Sequence, residues 1–510
     1  MRFKGFIGPA YTLKSVNVDA QRCVNLYPEI NEMNNGKAAE IAWLRSTPGL
    51  EKVLEIGTGP IRLVHFDDTP TSTFGPDKRF FVASGSQMFM VTNVLGVWTS
   101  TLLGDLQTST GVIKASSIAL GVGIDDTPIT AITVFVDGTY SYAFVGEDFG
   151  GPPVTGYGYY FSEFSTLGYS SVGGATHVVN IDGYFIYVNG TNRFFVSDLN
   201  SLVVDPLSFA SSEGSADNIV AAISNTRDLW LFNEKTTEVF VNTGNSDFPF
   251  ERVQGGFIEK GCVAGYSVAK IDGVVFWLGR DESGEGIVYA AQGLSPQRIS
   301  THAIESEIST YANISSSSGY TYQKDGHSFY VLNFDEATWV YDLTTKLWHE
   351  RAFTSSGVLE RHRANNHAFV PEYGIHFVGD YESNKLYKLN EDYYLDDTDY
   401  ITRLRSSPHV SNELKQIFCK SFQLDIEAGV GLDGTTQGTD PQIMFQYSDD
   451  GGHTWSSELT ASMGKIGEYK KRAIWRRLGT FRDRVFQVKI TDPVKVALIG
   501  AELDAEGGSN

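Results

Sequence analysis

Tight turns recur along the middle of this chain at near-constant spacing, each followed by an aromatic or β-branched strand. Asp137-Gly138 leads into Thr139-Tyr140-Ser141-Tyr142, Asp182-Gly183 into Tyr184-Phe185-Ile186-Tyr187-Val188, and Arg227-Asp228 into Leu229-Trp230-Leu231-Phe232. Asp272-Gly273 leads into Val274-Val275-Phe276-Trp277-Leu278, Asp325-Gly326 precedes Ser328-Phe329-Tyr330-Val331-Leu332, and Tyr373-Gly374 precedes Ile375-His376-Phe377-Val378. These anchors lie 45, 46, 44, 53 and 48 residues apart. Asp-Gly tolerates the positive φ angles of a two-residue hairpin, so an anchor joins antiparallel strands. A period of roughly 40–50 residues is that of a four-stranded propeller blade.

The units continue alike, with a polar turn and a further strand: Arg193-Phe194-Phe195-Val196-Ser197, Thr237-Glu238-Val239-Phe240-Val241, Lys385-Leu386-Tyr387-Lys388-Leu389. A looser unit surrounds Arg79-Phe80-Phe81-Val82 and Met88-Phe89-Met90-Val91. Counting it gives seven blades, and treating one unit as an insertion gives six. Radial closure leaves each blade only short, protected edges, which so many strands require. The alternative is a string of unrelated β-sandwiches with accidental turn spacing.

The expected fold is therefore all-β: a propeller of six or seven blades over 58–398, flanked by segments 1–57 and 399–510. Long helical patterns are nearly absent. The last segment alternates as sandwich strands do, with Phe422, Leu424 and Ile426 on one face and Ile443, Phe445 and Tyr447 in the next strand. Val485 to Ile490 and Val494 to Ile499 complete the pattern, and Gly429 to Thr439 forms a Gly/Thr-rich loop.

Charge narrows the function. A formal net charge of −21 argues against a general nucleic-acid binder, which needs clustered Lys and Arg to neutralise phosphates. Against that background Lys465, Lys470, Lys471, Arg472, Arg476, Arg477, Arg482 and Arg484 stand out. They read as a subunit interface, meeting acidic groups on a neighbouring copy, in preference to a phosphate site. Cys23, Cys262 and Cys419 are too far apart for zinc spacing or a disulfide framework and read as buried thiols. No signal peptide is visible, and no apolar run approaches the roughly 20 residues of a membrane span.

Ser448-Asp449-Asp450-Gly451-Gly452-His453-Thr454-Trp455 matches the Asp-box pattern S-x-D-x-G-x-T-W. Its mechanics are those of a hairpin lock: Asp450 accepts backbone N–H groups with Ser448 and Thr454 beside it. Gly452 tolerates positive φ, and Trp455 folds under to pack. Sialidases carry such boxes away from their catalytic centres. Asp247, Asp281, Glu282, Glu285 and Asp335 are the notable carboxylates, but a facing pair at catalytic separation is not readable among 61 acids. His362 and His367 lack the surrounding His-Glu-x-x-His word. Phosphate-loop patterns are absent, and Asn189-Gly190-Thr191 reads as a turn. No catalytic residue, metal site or cofactor is expected.

The C-terminal words Ser448–Trp455, Gly464-Lys465-Ile466-Gly467-Glu468-Tyr469, Trp475-Arg476-Arg477-Leu478-Gly479 and Ile490-Thr491-Asp492-Pro493 resemble the tail-hub or nozzle proteins of short-tailed phages. Arg22-Cys23-Val24-Asn25-Leu26-Tyr27-Pro28 and Leu44-Arg45-Ser46-Thr47-Pro48-Gly49-Leu50 strengthen the likeness. These are also called packaged-DNA-stabilisation proteins.

The resemblance implies a propeller with a platform built from both termini. It implies a homo-hexameric ring below the portal and its adaptor, retaining packaged DNA and serving ejection. Tail fibres, tailspikes or a tail needle attach nearby, and double-stranded DNA passes transiently. Assembly in the host cytoplasm and residence in the virion tail follow. An acidic lumen wall would repel the DNA backbone and let it slide; the sequence does not say which residues face it. The alternative function is a tail-associated glycan-binding or glycan-hydrolysing, sialidase-like propeller.

Overall fold

A computed structural model describes residues 2–30, 42–69, 78–119, 131–148, 157–164, 172–281 and 284–508. Among these residues, antiparallel sheets of four main strands recur seven times, and their first strands adjoin one another around a common axis. Those inner strands are Ile61–Asp67, Lys114–Ala119, His177–Ile181, Ile219–Asn225, Ala269–Ile271, Ser318–Lys324 and Ala364–Val370. The last adjoins the first, so the ring closes with seven blades. The looser early unit is thus a full blade, Ile61–Asp67 through Val97–Asp105.

Closure comes from the N-terminal side. The seventh blade takes its outer strand from Gly49–Glu55, which pairs with Lys385–Asn390 in the register Leu50↔Leu389 and Glu51↔Lys388. The boundary expected at residue 57 therefore falls after a propeller strand. A strand holding the two ends of the ring together must come from whichever terminus lies beside the last blade, whatever its distance in sequence.

The repeated turns have a structural meaning in five of the six anchors. Asp182-Gly183, Asp272-Gly273 and Asp325-Gly326 each carry two positive φ angles and join the first and second strands of their blades. Arg227-Asp228 and Tyr373-Gly374 stand at the same hairpin. Asp137-Gly138 does not: it joins the second and third strands of blade two, so its distance of 45 residues to Asp182 is not a blade repeat.

Two further sheets face each other beyond the ring. One has the order Leu26–Ile30, Ala42–Ser46, Ala497–Gly507, Ile417–Ile426, Ala473–Arg476. The other runs Arg403–Ser406, Asp483–Ile490, Gln442–Ser448, Leu459–Ser462. Between them Phe422, Phe445, Phe486 and Trp475 pack, with Phe445 and Trp475 rings 4.6 Å apart, and Phe6 joins from the N-terminus. Period-two alternation in these strands places the apolar members inward. The sandwich is built from both ends of the chain.

Sandwich and propeller share a sheet. Cys23–Val24 pairs with Arg403–Ser406 on one side and with the outer strand of blade six, Leu347–Ser355, on the other. Polar groups reinforce this seam: the Asn25 amide donates to the Ala352 and Thr402 carbonyls at 2.8 and 2.9 Å, and accepts from the Ala352 N–H. Arg405, fully buried, donates to the carbonyls of Phe6, Pro9 and Gly5. Such satisfied buried groups fix one arrangement, because each would be left orphaned in another.

Candidate assembly surface

The Asp-box hairpin joins Gln442–Ser448 to Leu459–Ser462. Asp450 accepts from the Thr454 N–H at 2.8 Å and its hydroxyl at 2.6 Å, and from the Ser448 hydroxyl at 2.6 Å. The Ser448 oxygen in turn accepts from the Gly452 N–H at 2.8 Å. These hydrogen bonds hold the Asp450 carboxyl well below the usual carboxylate range. Gly451 and Gly452 have φ of 75° and 100°, and a Cβ on Gly451 would lie 2.3 Å from Asn17 Oδ1. The hairpin tip thus rests on the N-terminal segment. Trp455 is only half-buried and does not enter the sandwich core; Trp475 takes that place.

The basic cluster divides. Lys465, Lys470, Lys471, Arg472, Arg476, Arg477 and Arg482 are exposed. Arg484 is not: it is 2% exposed, pairs with Asp449 through two nitrogens, donates to the Leu478 carbonyl and stacks on Tyr447 and Phe481. It is a structural group and leaves the candidate interface. Its position predicts as much, since Arg484, Phe486, Val488 and Ile490 alternate onto the core face.

Acidic groups that the sequence reading passed over lie beside the exposed bases. Glu502, Asp504 and Glu506 alternate outward along Ala497–Gly507, and Asp425 projects from the neighbouring strand. Ser421 pairs with Arg476 on one side and Asp504 on the other. Arg476 and Asp504 therefore share one face, two strand spacings or about 10 Å apart. Exposed Lys470, Lys471, Arg472, Arg476 and Arg477 lie in and around the edge strand Ala473–Arg476, and an acidic strip runs along Ala497–Gly507 with Ile417–Ile426 between them. A cleft of about 560 Å³ opens between them, walled by Arg2, Asp425, Tyr469, Lys471, Arg472 and Glu502. Ile466 and Tyr469, 62% and 76% exposed, stand on its rim loop.

The Gly429 to Thr439 loop is irregular but tied, with the Leu432 N–H donating to the Gly438 carbonyl and Gln437 to Asp492. The notable carboxylates scatter. Asp281 pairs with Lys260, Glu285 lies 3.5 Å from Arg280, Asp335 lies 3.8 Å from Arg361, and Asp247 sits on an exposed loop. Glu282 lies outside the described residues. His362 is fully buried, whereas His367 hydrogen-bonds His376 at 3.0 Å. Cys23, Cys262 and Cys419 are buried free thiols whose pKa values burial raises. No described helix is long and apolar enough to cross a membrane.

Among solved structures, the chain is similar to the WD40 propeller domain of Doa1 at 10% identity and a TM-score of 0.37, over 67% of this chain and 96% of that one. The computationally designed Ika8 protein gives 11% and 0.34, over 67% and 99%. The extracellular domain of a one-component system from B. thetaiotaomicron gives 9% and 0.39, over 87% and 58%. No curated protein matches the chain. Family models do: the β-propeller of bacteriophage P22 Gp10 matches residues 12–394 and its β-sandwich matches residues 402–506. Together they cover the ring, its closing strand and the sandwich, and the chain belongs to the P22 Gp10 family, the tail nozzle and stabilisation proteins of short-tailed phages.

Proposed function

We propose that this phage tail structural protein assembles as a homo-hexameric ring that extends the portal–adaptor channel, retains packaged DNA and serves its ejection. The observation that carries the ring is family membership, with exposed bases around the edge strand Ala473–Arg476 and acids along Ala497–Gly507 supplying charges of opposite sign for its contacts. A closed ring needs a heterologous contact, in which one patch meets a different patch on the next copy. Bases of one copy meeting acids of the next would set the register of such a contact through complementary charge. The rigid seam to blade six would transmit the position of each sandwich to its propeller.

DNA passage suits an acidic protein. Phosphates spaced about every 1.7 Å of duplex axis would bind a basic wall through counterion release, whereas an acidic wall leaves the duplex free to slide. No catalytic role is included, and fibres, tailspikes or a needle would attach outside the ring. Assembly takes place in the host cytoplasm. Native mass spectrometry of the purified chain, alone and with portal–adaptor complex, tests the reading. Six copies docked on that complex support it; a chain that stays monomeric in its presence overturns it.

A further inference from the structure

The outer face of one sandwich sheet carries exposed apolar side chains at both of its ends. Its strand Ile417–Ile426 has 10 residues and so spans about 30 Å. At the Ile426 end, the loop bearing Ile466 and Tyr469 is fastened to the chain that follows the strand. The Gly429 N–H donates to the Met463 carbonyl at 3.1 Å, and the Gly431 N–H to the Gly464 carbonyl at 3.3 Å. Tyr469 lies against Gly429, where a Cβ would stand 2.8 Å from Tyr469 Cδ1. Both side chains nevertheless remain mostly in solvent.

At the Ile417 end, Phe418 is 45% exposed, and Leu414, in the turn leading into the strand, is 66% exposed. Phe418 stands directly opposite Glu506, and directly opposed residues share a face, so Phe418 lies on the face that carries the acidic strip. Glu413 and Leu414 have φ of 50° and 58°, a left-handed conformation that glycine or asparagine adopts more readily. Two hydrogen bonds hold the turn: Arg482 donates to the Leu414 carbonyl at 2.6 Å, and the Lys415 N–H donates to the Asn412 carbonyl at 2.8 Å. A leucine there adds apolar surface that this chain leaves largely in water. Exposed apolar groups gathered on a held turn mark a contact surface.

We propose that Tyr469 and Ile466 of one copy seat against Phe418 and Leu414 of the next, forming the apolar core of the contact between copies. This rests on the ring reading above and adds which end of one sandwich meets which end of its neighbour. Three observations favour a second copy as the occupant. The two patches stand about 30 Å apart along the strand, so neither covers the other within one chain. They are different patches on one sheet, as a head-to-tail contact requires. Their surrounding charges also match: Lys465, Lys470 and Lys471 flank Tyr469, whereas Asp504 lies two residues from Glu506 beside Phe418. Glu413 and Glu506 are already paired with Lys415 and Lys420, which leaves the ground around Phe418 nearly neutral. A charge-poor apolar centre with a charged rim is the usual anatomy of a protein interface, and tyrosine is prominent among the residues that dominate its affinity.

Sedimentation velocity of the full chain over a concentration series, alone and with portal–adaptor complex, tests the pairing. Tyr469→Ser and Phe418→Ser should each weaken assembly at least about ten-fold. The double variant should be no weaker than the worse single one, because both substitutions remove the same contact. Losses that multiply would show the two rings meeting different partners and overturn the pairing. Wild-type assembly by either single variant overturns it as well, while leaving the ring reading intact; a wild-type chain that forms no ring removes that reading and this contact together. The urea midpoint of Tyr469→Ser should equal that of the wild type, since the ring is exposed, so that lost assembly is not lost folding. If Tyr469→Ser keeps the ring but loses wild-type binding to vesicles of anionic phospholipid, the loop belongs to a lipid surface and the proposal fails.

Discussion

Arg484 and Asp449 form a two-pronged ion pair, at 2.5 and 2.8 Å, that fastens the Asp-box turn to the opposite strand of the same sheet. The two partners are unequal: the arginine side chain is 2% exposed and the aspartate 48%. Arg484→Ala removes ring stacking and leaves the Leu478 carbonyl without its donor, so it should destabilise the sandwich by about 2–3 kcal/mol. That lies below the 3–5 of a fully buried pair because Asp449 regains water. Asp449→Asn should cost about 1 kcal/mol or less, its carboxylate being half-solvated. Urea unfolding of both variants checks the asymmetry; equal losses would contradict it.

Trp475 and Trp455 should behave differently although both lie close to the Asp-box hairpin. Trp475 is 5% exposed, stacks on Phe445 and donates to the Leu459 carbonyl. Trp475→Ala should cost about 3–5 kcal/mol. Trp455 is half-buried, so its removal should cost about 1 kcal/mol. Chemical denaturation of the two variants side by side decides the order.

The contrast shows what was legible in the sequence. Turn chemistry marked the inner hairpins at Asp182, Asp272 and Asp325, because a two-residue turn demands positive φ locally. Period-two alternation marked the core strands around Phe422 and Phe445. The pairing of Gly49–Glu55 with Lys385–Asn390 had no local trace, since hydrogen bonds between main chains carry no side-chain signature. The Asp-box word fixed the turn but not the depth of its tryptophan. Proximity in sequence groups the basic residues; alternation separates buried Arg484 from its exposed neighbours and also reveals Glu502, Asp504 and Glu506 opposite them.

Ring closure should be sensitive to Gly49. A Cβ there would lie 2.0 Å from the Tyr393 carbonyl oxygen and 2.5 Å from that of Leu395, so the closing strand cannot seat without backbone movement. Gly49→Ala should cost about 1–3 kcal/mol, as overpacking does, and Gly49→Val more. Limited proteolysis should then cut near residues 56–60, where the closing strand joins blade one. An uncut, fully stable Gly49→Val variant would contradict the role given to this strand.

Acid should weaken the fold earlier than carboxylate titration alone requires. Burial lowers the pKa of His65, His177, His349, His362, His367 and His376, to about 3 for His177, His349 and His367 and about 4 for His376. These six stay neutral in the fold but protonate in the unfolded chain below about 6.5, so stability is full above that value and falls as pH drops towards the lowered values. His327 acts oppositely: its hydrogen bond to Asp342 at 2.7 Å raises its pKa, a contribution present below about 6.5 and lost as pH rises through the raised value. Calorimetric Tm should fall steadily from about pH 6.5 to 4. A flat profile over that range would show the six rings to be solvated.

Charge reversal separates assembly from folding. Arg472, Arg476 and Arg477 are exposed, and Asp425, Glu502 and Asp504 lie on the same sandwich face. Replacing the three arginines with Glu should leave monomer stability nearly unchanged, since surface charges contribute little to folding. It should abolish the ring, because acidic edge would then meet acidic strip on the next copy. Replacing the three acids with Lys should do the same alone, while mixing the two variants should restore contacts only between unlike chains. Alternation within a mixed ring is compatible with six members, as an even number lets every junction be complementary. Two kinds of junction alternate in such a ring: a reversed basic edge meets a reversed acidic strip at one contact, and two wild-type patches meet at the next. Native mass spectrometry of the mixture should therefore show even-numbered assemblies of equal composition, and rings of either variant alone would remove charge complementarity from the account.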